Sequence, residues 1–268
     1  MKRWTILGVT VFFLSVLPCS AGFAEAKTIT EGSVTVQTLD YSRGQAGSRN
    51  SIVIVPSITA RNGQFSLSME SVSDTSPYSN ANSMKIQSST INFAYGPSTE
   101  MFSTEFALAL KGKDSAKDEK EISFSFSMEE GTIRPFFAIY QTVGINPALY
   151  AELGAAHSID MGAGNSCEIA VKVGYFSSQL QKEDGPSAAH YKTNSDGSLS
   201  DERFSGWLDA EVSASVAFDL GDGIFLEPFA TVALPLSGNA KNYFKANSPQ
   251  GFADGSTSHF WGGVRVLF

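Results

Sequence analysis

The sequence has little of the two residue types that most often build metal sites and nucleophilic active sites. It contains 2 cysteines and 3 histidines in 268 residues. It shows no H-E-x-x-H pair, cysteine cluster, Walker loop or G-x-S-x-G motif. These absences remove the sequence signals for zinc, nucleotide and serine-hydrolase chemistry. We therefore predict no enzyme, no catalytic residue, no metal site and no cofactor.

Positive charge and long apolar runs are scarce as well. The chain has 19 Lys and Arg against 27 Asp and Glu, which argues against a nucleic-acid partner because such partners need a basic surface. After residue 26, no stretch approaches the roughly 20 apolar residues of a membrane-spanning helix. If the chain lies in a membrane, it must cross as a closed β-barrel, since open sheet edges cannot face lipid.

The first 26 residues have the pattern of a secretory signal peptide. Met1-Lys2-Arg3 is basic, residues 6–17 are apolar, and Ala24-Glu25-Ala26 supplies small residues at the cut. We predict cleavage after Ala26, in preference to Gly22, which leaves residues 27–268 as one domain with the single cysteine Cys167. Cys19 raises the alternative of a lipoprotein, but Pro18 stands where such a site needs a small residue.

The last strand gives the clearest indication of the fold. In residues 258–268, Phe260, Val264 and Phe268 fall on one face and Arg265 on the other, because successive side chains of a strand alternate. An apolar stripe opposite an arginine suits a strand between lipid and a wet interior. The stretch resembles the closing strand of bacterial outer-membrane β-barrels, whose terminal aromatic residue the assembly machinery reads, and this resemblance makes Phe268 the expected assembly signal. The alternative is the last strand of a soluble sandwich.

The same alternation recurs along the chain, most cleanly where Ile122, Phe124, Phe126 and Met128 alternate with serines. We predict an all-β fold, a single antiparallel transmembrane β-barrel of about twelve strands, a number within the range of such barrels. The predicted strands are 33–41, 52–58, 64–70, 84–95, 101–111, 121–129, 133–143, 149–159, 166–178, 204–220, 224–236 and 258–268.

Connection lengths favour the barrel over the sandwich. Short turns are predicted at 61–63, 96–99, 129–132, 161–165 and 220–223, and longer loops come between them. Outer-membrane barrels pair short periplasmic turns with longer external loops in this way. The link at 144–147 is the exception, because it should be external and yet is short.

The polar side of the predicted strands identifies the residues expected to line the lumen. They are Glu105, Glu121, Arg134, Glu152, Glu168, Lys172, Asp209, Glu211, Glu227, His259 and Arg265. Charge on the lipid face of a barrel is costly, so an inward direction is expected whatever the function. Two interpretations stay open: an ion-pair network that fills a narrow barrel, or the lining of a solute channel.

Aromatic residues near the strand ends suggest girdles at the two membrane interfaces. The residues concerned are Tyr41, Tyr95, Phe102, Tyr175, Phe204, Trp207, Phe260 and Phe268.

Several short segments resemble the TorF-type family of outer-membrane transporters over most of residues 27–268. They are 54–59 (IVPSIT), 63–67 (GQFSL), 150–160 (YAELGAAHSID), 218–223 (FDLGDG), the strand with Pro228, and 260–264 (FWGGV). A departure lies near the first strand, where Tyr41-Ser42-Arg43-Gly44 only approximates the aromatic-Arg-Gly step of that family. The resemblance implies an outer-membrane barrel with a transport role, and it implies no substrate and no site residue.

We therefore predict a bacterial outer-membrane barrel that is a passive, porin-like channel for small polar solutes, with a preference for cations. Its expected partners are outer-membrane lipids, the barrel-assembly machinery and those solutes. The alternative is a plugged structural or surface-interaction barrel that acts through loops 179–203 and 237–257. An enzyme at the rim would require a loop histidine such as His190 within hydrogen-bond reach of a serine or an acid.

Overall fold

A computed structural model describes residues 27–43, 45–46, 52–75, 85–113, 119–144, 147–179, 190–194, 199–246 and 258–268. The predicted signal peptide and Cys19 lie outside these residues, as do parts of the two long loops. The leader therefore stays a prediction from the sequence.

The described residues form sixteen strands and one helix. In chain order they are β1 (Ile29–Gln37), β2 (Tyr41–Ser42), β3 (Gln45–Ala46), β4 (Val53–Asn62), β5 (Phe65–Asp74), β6 (Lys85–Tyr95), β7 (Phe102–Lys113), β8 (Glu119–Met128), β9 (Arg134–Val143), β10 (Ala148–Gly162), β11 (Asn165–Ser178), β12 (Tyr191–Thr193), β13 (Leu199–Arg203), β14 (Ser205–Gly221), β15 (Ile224–Pro235), α1 (Gly238–Ala246) and β16 (His259–Leu267). No helix in these ranges is long and apolar enough to cross a membrane.

Twelve of the strands close into one antiparallel barrel in the order β1-β16-β15-β14-β11-β10-β9-β8-β7-β6-β5-β4. Closure comes from β1, which pairs with β4 on one side and with β16 on the other. The predicted all-β barrel of twelve antiparallel strands is therefore confirmed. Closure leaves no strand edge in the barrel wall without a neighbour, which is what a lipid environment requires of backbone polar groups.

The two ends of the barrel differ as the connection lengths predicted. Tight turns follow β4, β10 and β14 at one end, where Gly63, Gly164 and Gly223 have positive φ angles of 59°, 79° and 79°. We call this the turn end. The longer connections meet at the other end, the loop end, together with the short link between β9 and β10. The link at 144–147 is therefore short and still on the expected side.

The strands present an apolar outer face and a polar inner face. Phe260 is 72% exposed and Leu153 is 57% exposed, while the inward-facing Glu121 is only 5% exposed. Large apolar side chains cover the outer face from strand to strand, and soluble monomers rarely expose such a continuous surface. The outer face is therefore the one that suits lipid.

Phe268 extends the closure of the barrel beyond β16. Its backbone N–H donates to the Gly32 carbonyl at 3.0 Å, and the Gly32 N–H donates to the Phe268 carbonyl at 2.7 Å. Gly32 leaves room for the aromatic ring, since a Cβ there would collide with Phe268. The terminal aromatic residue thus has a structural place at the seam, and its role as an assembly signal stays a prediction.

The barrel mouth at the loop end contains inward-facing segments that the strand pattern did not predict. Helix α1 places Tyr243 and Phe244 inside the barrel mouth, 2% and 1% exposed, against Phe176 and Phe204 of the barrel wall and loop. The chain that follows β1 also enters the barrel interior, where the Tyr41 ring packs on Trp261 with ring centroids 4.6 Å apart. We call residues 41–43 the inward turn. The first strand accordingly spans Ile29–Gln37 and ends before Tyr41.

The prediction that Phe204 and Tyr41 belong to the aromatic girdles is therefore wrong. Phe204 is 3% exposed within the inner cluster, and Tyr41 lies inside the barrel. Trp207, Phe260 and Phe102 are exposed on the outer face as expected.

A β-bulge also changes the direction of one side chain in β14. The pairing with β11 shifts between Gly174 and Tyr175, so that Asp209 and Trp207 are opposite successive β11 residues. The bulge turns both Leu208 and Asp209 inward, and they are 0% and 1% exposed. Strict alternation places Leu208 with Val212 on the outer face, and that expectation fails because a bulge adds one residue to the strand.

Candidate functional site

A carboxylate on β8, Glu121, forms the centre of the first charged group on the inner face. Arg43, from the inward turn between β2 and β3, donates from Nη2 to Glu121 Oε1 at 3.1 Å and from Nη1 to Oε2. Lys111 of β7 donates to the same Oε2 at 3.1 Å. The guanidinium of Arg43 also lies 3.6 Å from the centroid of the Tyr140 ring. Bidentate pairing of a guanidinium with a carboxylate is strong and directional. The pair therefore fixes the position of the inward turn against β8.

The backbone at Arg43 supports the same conclusion. Its φ is +51°, in the left-handed region that costs a non-glycine residue energy. The ion pair with Glu121 and the stacking on Tyr140 offset that cost. The position of this turn is therefore fixed by its side chain.

A lysine on β11, Lys172, forms the second charged group. Its Nζ lies 3.1 Å from Glu152 Oε2 on β10 and 3.3 Å from Glu211 Oε2 on β14. The Tyr140 hydroxyl donates to Glu152 Oε1 at 3.1 Å, which joins the second group to the first. Polar contacts thus run without a break along the inner wall from β7 to β14.

Asp209 holds the third group together. Tyr150 donates to Asp209 Oδ1 at 3.1 Å, and Tyr41 donates to Oδ2 at 3.3 Å. Gly174 lies between them on β11, and a Cβ there would collide with the Asp209 carboxylate and the Tyr150 hydroxyl. The glycine makes this contact across the strand possible. Through Tyr41, the inward turn has a second attachment, to β14, besides the attachment of Arg43 to β8.

Nearer the turn end, the charges form separate pairs. Arg134 of β9 donates to Glu168 of β11 and, at 2.6 Å, to Ser158. Arg265 of β16 lies 3.4 Å from Glu227 of β15. These pairs are more exposed than the three groups above.

The structure places all eleven predicted lumen residues on the inner side of their strands by register, and it brings most of them together. Paired or grouped are Glu121, Arg134, Glu152, Glu168, Lys172, Asp209, Glu211, Glu227 and Arg265. His259 is buried between the rings of Tyr41 and Phe244 instead. Glu105 lies opposite Ser125 and is exposed.

Sequence reasoning missed Arg43, Tyr41 and Lys111. Arg43 lies in a polar loop with no strand period, so alternation gave it no direction, and Tyr41 was assigned to a membrane girdle at the end of the first predicted strand. Lys111 ended its predicted strand and was not counted with the lumen. The signal that could have found Arg43 is the surplus of acids over bases among the predicted lumen residues, which calls for a further cation.

The second group lines a cavity of about 250 Å³ on the inner face. Charged Glu152, Lys172 and Glu211 line it together with Phe136, Thr231 and Trp261. These residues come from β9 to β16. The cavity therefore lies along one half of the barrel, below the inward turn.

A serine and a histidine also meet at the loop end. Ser178 Oγ lies 2.9 Å from His190 Nδ1, which is the proximity that an enzyme at the rim would need. Both residues are buried, 5% and 7% exposed, and the His190 ring packs on Phe176. Burial lowers the pKa of His190, while the carboxylate of Glu119 acts in the opposite direction. The contact links the start of β12 to the end of β11.

Comparison with known proteins shows the fold and nothing finer. No family model matches the chain, and no curated protein matches it. Among solved structures, the KdgM porin in complex with disordered oligogalacturonate has a TM-score of 0.50 at 9% identity, over 90% of this chain and 98% of that one. The NanC porin has a TM-score of 0.50 at 7% identity, over 89% of this chain and 98% of that one. The chain therefore has the fold of outer-membrane β-barrel porins.

Proposed function

We propose that this protein is a passive channel of the bacterial outer membrane for small polar solutes, with a preference for cations. The observation that carries the proposal is a closed barrel with an apolar outer face and a charged inner face that still contains a cavity of about 250 Å³. Side chains fill the narrowest barrels, and a twelve-stranded barrel is wider. The interior thus has room for a path along the charged wall.

The preference for cations rests on the balance of inner charges. The eleven predicted lumen residues include seven carboxylates and three permanent cations, and Arg43 and Lys111 raise the cations to five. The surplus of acid favours cations in a pore. It also argues against an acidic solute such as the oligogalacturonate of the KdgM complex.

The inward turn would set the narrowest part of the path. Arg43 is bound to β8 and Tyr41 to β14, so the turn bridges the part of the wall that β9, β10 and β11 form between them. A solute that passes must do so beside this bridge. Its charge and size would then govern which solutes are admitted.

Swelling of vesicles that contain the protein tests the proposal. Vesicles are placed in isotonic solutions of a small organic cation, a neutral polyol or an organic anion of similar size, and light scattering follows solute entry. We expect entry of the cation to be fastest and entry of the anion to be slowest. A rate equal to that of protein-free vesicles for all three solutes would contradict the proposal.

A plugged barrel that acts through its external loops is the second candidate, and helix α1 favours it. Ala240, Tyr243 and Phe244 are almost completely buried inside the mouth. Ser237 caps the helix, because its Oγ accepts from the Ala240 N–H at 3.0 Å. A helix fastened in this way can seal the loop end.

Phe244→Ala distinguishes the two candidates. Removing this buried ring should lower the free energy of unfolding by about 3–5 kcal/mol, as for other buried aromatic residues. If α1 is a seal, the variant should admit solutes that the wild type excludes. If the path bypasses α1, solute entry should change little; Phe260→Ala, on the outer face, is the control for general damage.

The remaining assignments are proposals of the same kind. We propose that residues 1–26 are removed on export, that Phe268 is read by the assembly machinery, and that lipids surround the outer face. The resemblance of short motifs supports a place among TorF-type transporters. The buried Ser178 and His190 support a barrel without catalysis at its rim.

A further inference from the structure

The two sides of the charged inner wall differ in the balance of acids and bases, and the cavity lies on the acidic side. Glu121 faces two cations, Arg43 and Lys111, on the β7–β8 side. On the β10–β14 side, Lys172 is the one cation of the described residues that lies within ion-pair distance of Glu152 and Glu211, and Arg43 acts on Glu152 from farther away. The wall therefore carries a surplus of positive charge on one side and a surplus of negative charge on the other, and the cavity lies on the negative side.

Asp209 increases that negative surplus. It lies one inward position from Glu211 on β14, and its partners, Tyr150 and Tyr41, are neutral hydroxyl donors. Three carboxylates and one ammonium group thus share this part of the wall. Carboxylates in an enclosed site are costly unless they are paired, so the site is suited to a further cation.

Glu211 has the capacity to bind one. Its residue is 9% exposed, Oε2 lies 3.3 Å from Lys172 Nζ, and Oε1 has no hydrogen-bond partner within the described part of the chain. The terminal torsion of a glutamate is broad. A small rotation can therefore turn either oxygen towards the cavity that Glu211 lines.

The remaining lining narrows the chemistry of the ligand. Trp261 and Phe136 supply aromatic surface, which attracts organic cations. Thr231 supplies a hydroxyl for a further hydrogen bond. A volume of about 250 Å³ holds about eight water-sized groups, which suits a short aliphatic amine.

We propose that this cavity is a binding site for small organic ammonium compounds, with Glu211 and Glu152 as the acceptors and Trp261 as the aromatic wall. The biological role of this site rests on the proposed channel function, but the binding itself does not, because binding can be measured without transport. It gives the channel a substrate class. An ammonium group that displaces Lys172 from either carboxylate would lie midway along the lumen.

Calorimetric titration of the detergent-solubilised protein tests the site. The probe is 1,4-diaminobutane, and 1,4-butanediol and succinate are its neutral and anionic counterparts with the same four-carbon length. In a Trp207→Phe background, Trp261 is the only tryptophan of residues 27–268, and its fluorescence reports whether the probe binds inside the barrel. We expect the diamine alone to bind and to change this fluorescence.

Two variants test the acceptors. Glu211→Gln should weaken diamine binding by about tenfold or more, because it replaces a charge-assisted hydrogen bond with a neutral one. Glu152→Gln should do the same, which guards against a folding defect in the first variant. Glu70→Gln is the matched control, since Glu70 lies on the inner side of β5 outside the cavity and should leave binding unchanged.

Equal binding of the diamine and the diol would overturn the inference, and so would wild-type affinity in Glu211→Gln. A protein that admits solutes into vesicles but does not bind the diamine would refute this site and leave the channel proposal standing. A protein that binds the diamine at Trp261 but admits no solute would refute the channel and support the site.

Discussion

Arginine placed on the outer face should damage the barrel far more than arginine one residue away on the inner face. Phe124 lies near the middle of β8 and points outward, with ring centroids 4.7 Å from Phe106 and 5.6 Å from Phe137. Ser125 points inward, opposite Glu105 of β7. Phe124→Arg and Ser125→Arg therefore place the same side chain at neighbouring positions, the first on the outer face and the second on the inner face.

The size of the difference follows from these surroundings. An arginine in lipid near the midplane costs about 2–4 kcal/mol, and the two lost aromatic contacts are worth about 0.5–1.5 kcal/mol each. Phe124→Arg should therefore lower the free energy of unfolding by about 3–7 kcal/mol. Ser125→Arg can pair with the Glu105 carboxylate in a wet interior, and its effect should stay within about 1 kcal/mol.

Urea titration of folding into lipid vesicles measures both values, and the heat-modifiable migration of folded barrels on gels confirms the folded fraction. Equal losses in the two variants, or a larger loss for Ser125→Arg, would refute the assignment of faces.

Two further predictions concern the inward turn and the loop end. Arg43→Gln removes a charge-assisted pair worth about 1.5–3 kcal/mol and a cation–π contact. The inward turn should therefore become less ordered, the single-channel current should rise and the preference for cations should increase. A smaller current would contradict this role of Arg43. The folded-state pKa of His190 is lowered by burial, so the unfolded state takes up its proton before the folded state does as pH falls below about 6.5. The stability that His190 contributes is thus present above that pH and decreases below it by up to about 1.4 kcal/mol per pH unit. The free energy of unfolding of the wild type and of His190→Gln, measured from about pH 5 to 8, should therefore depend on pH with different slopes. Identical slopes would contradict the prediction.

The barrel could be predicted from the sequence because two independent patterns agree. Alternation on strands such as β8, with phenylalanines outward and serines inward, gives each strand its two faces. The lengths of the connections give the two ends. Neither pattern depends on distant contacts, which is why the strand number and the closed architecture were predictable.

The inward-facing segments at the loop end could not be predicted in the same way. Ala240, Tyr243 and Phe244 have the i, i+3, i+4 spacing of a helix stripe, but the stripe covers little more than one turn. Gly238 and Asn239 are also weak helix formers. Ser237 was a cap signal that alternation does not use. Leu208 changed face through a bulge, which depends on pairing with β11 and leaves no local trace in the sequence.

The charged interior was predictable as a list but not as a network. The cost of charge in lipid gives the direction of residues such as Glu152 and Lys172, and the register of three strands decides that they meet. Arg43 reaches Glu121 across 78 positions of sequence from an irregular turn. Only the closed fold brings these two residues together.

The measurement that tests the channel most directly is the single-channel current of the purified protein in a planar bilayer, with the reversal potential in a potassium chloride gradient. We predict stable current steps and a reversal potential that indicates preference for potassium. We also predict that Glu211→Gln reduces this preference, because it removes a carboxylate from the cavity wall. Folded, heat-modifiable protein that gives no current steps would contradict the channel and favour a barrel sealed by α1.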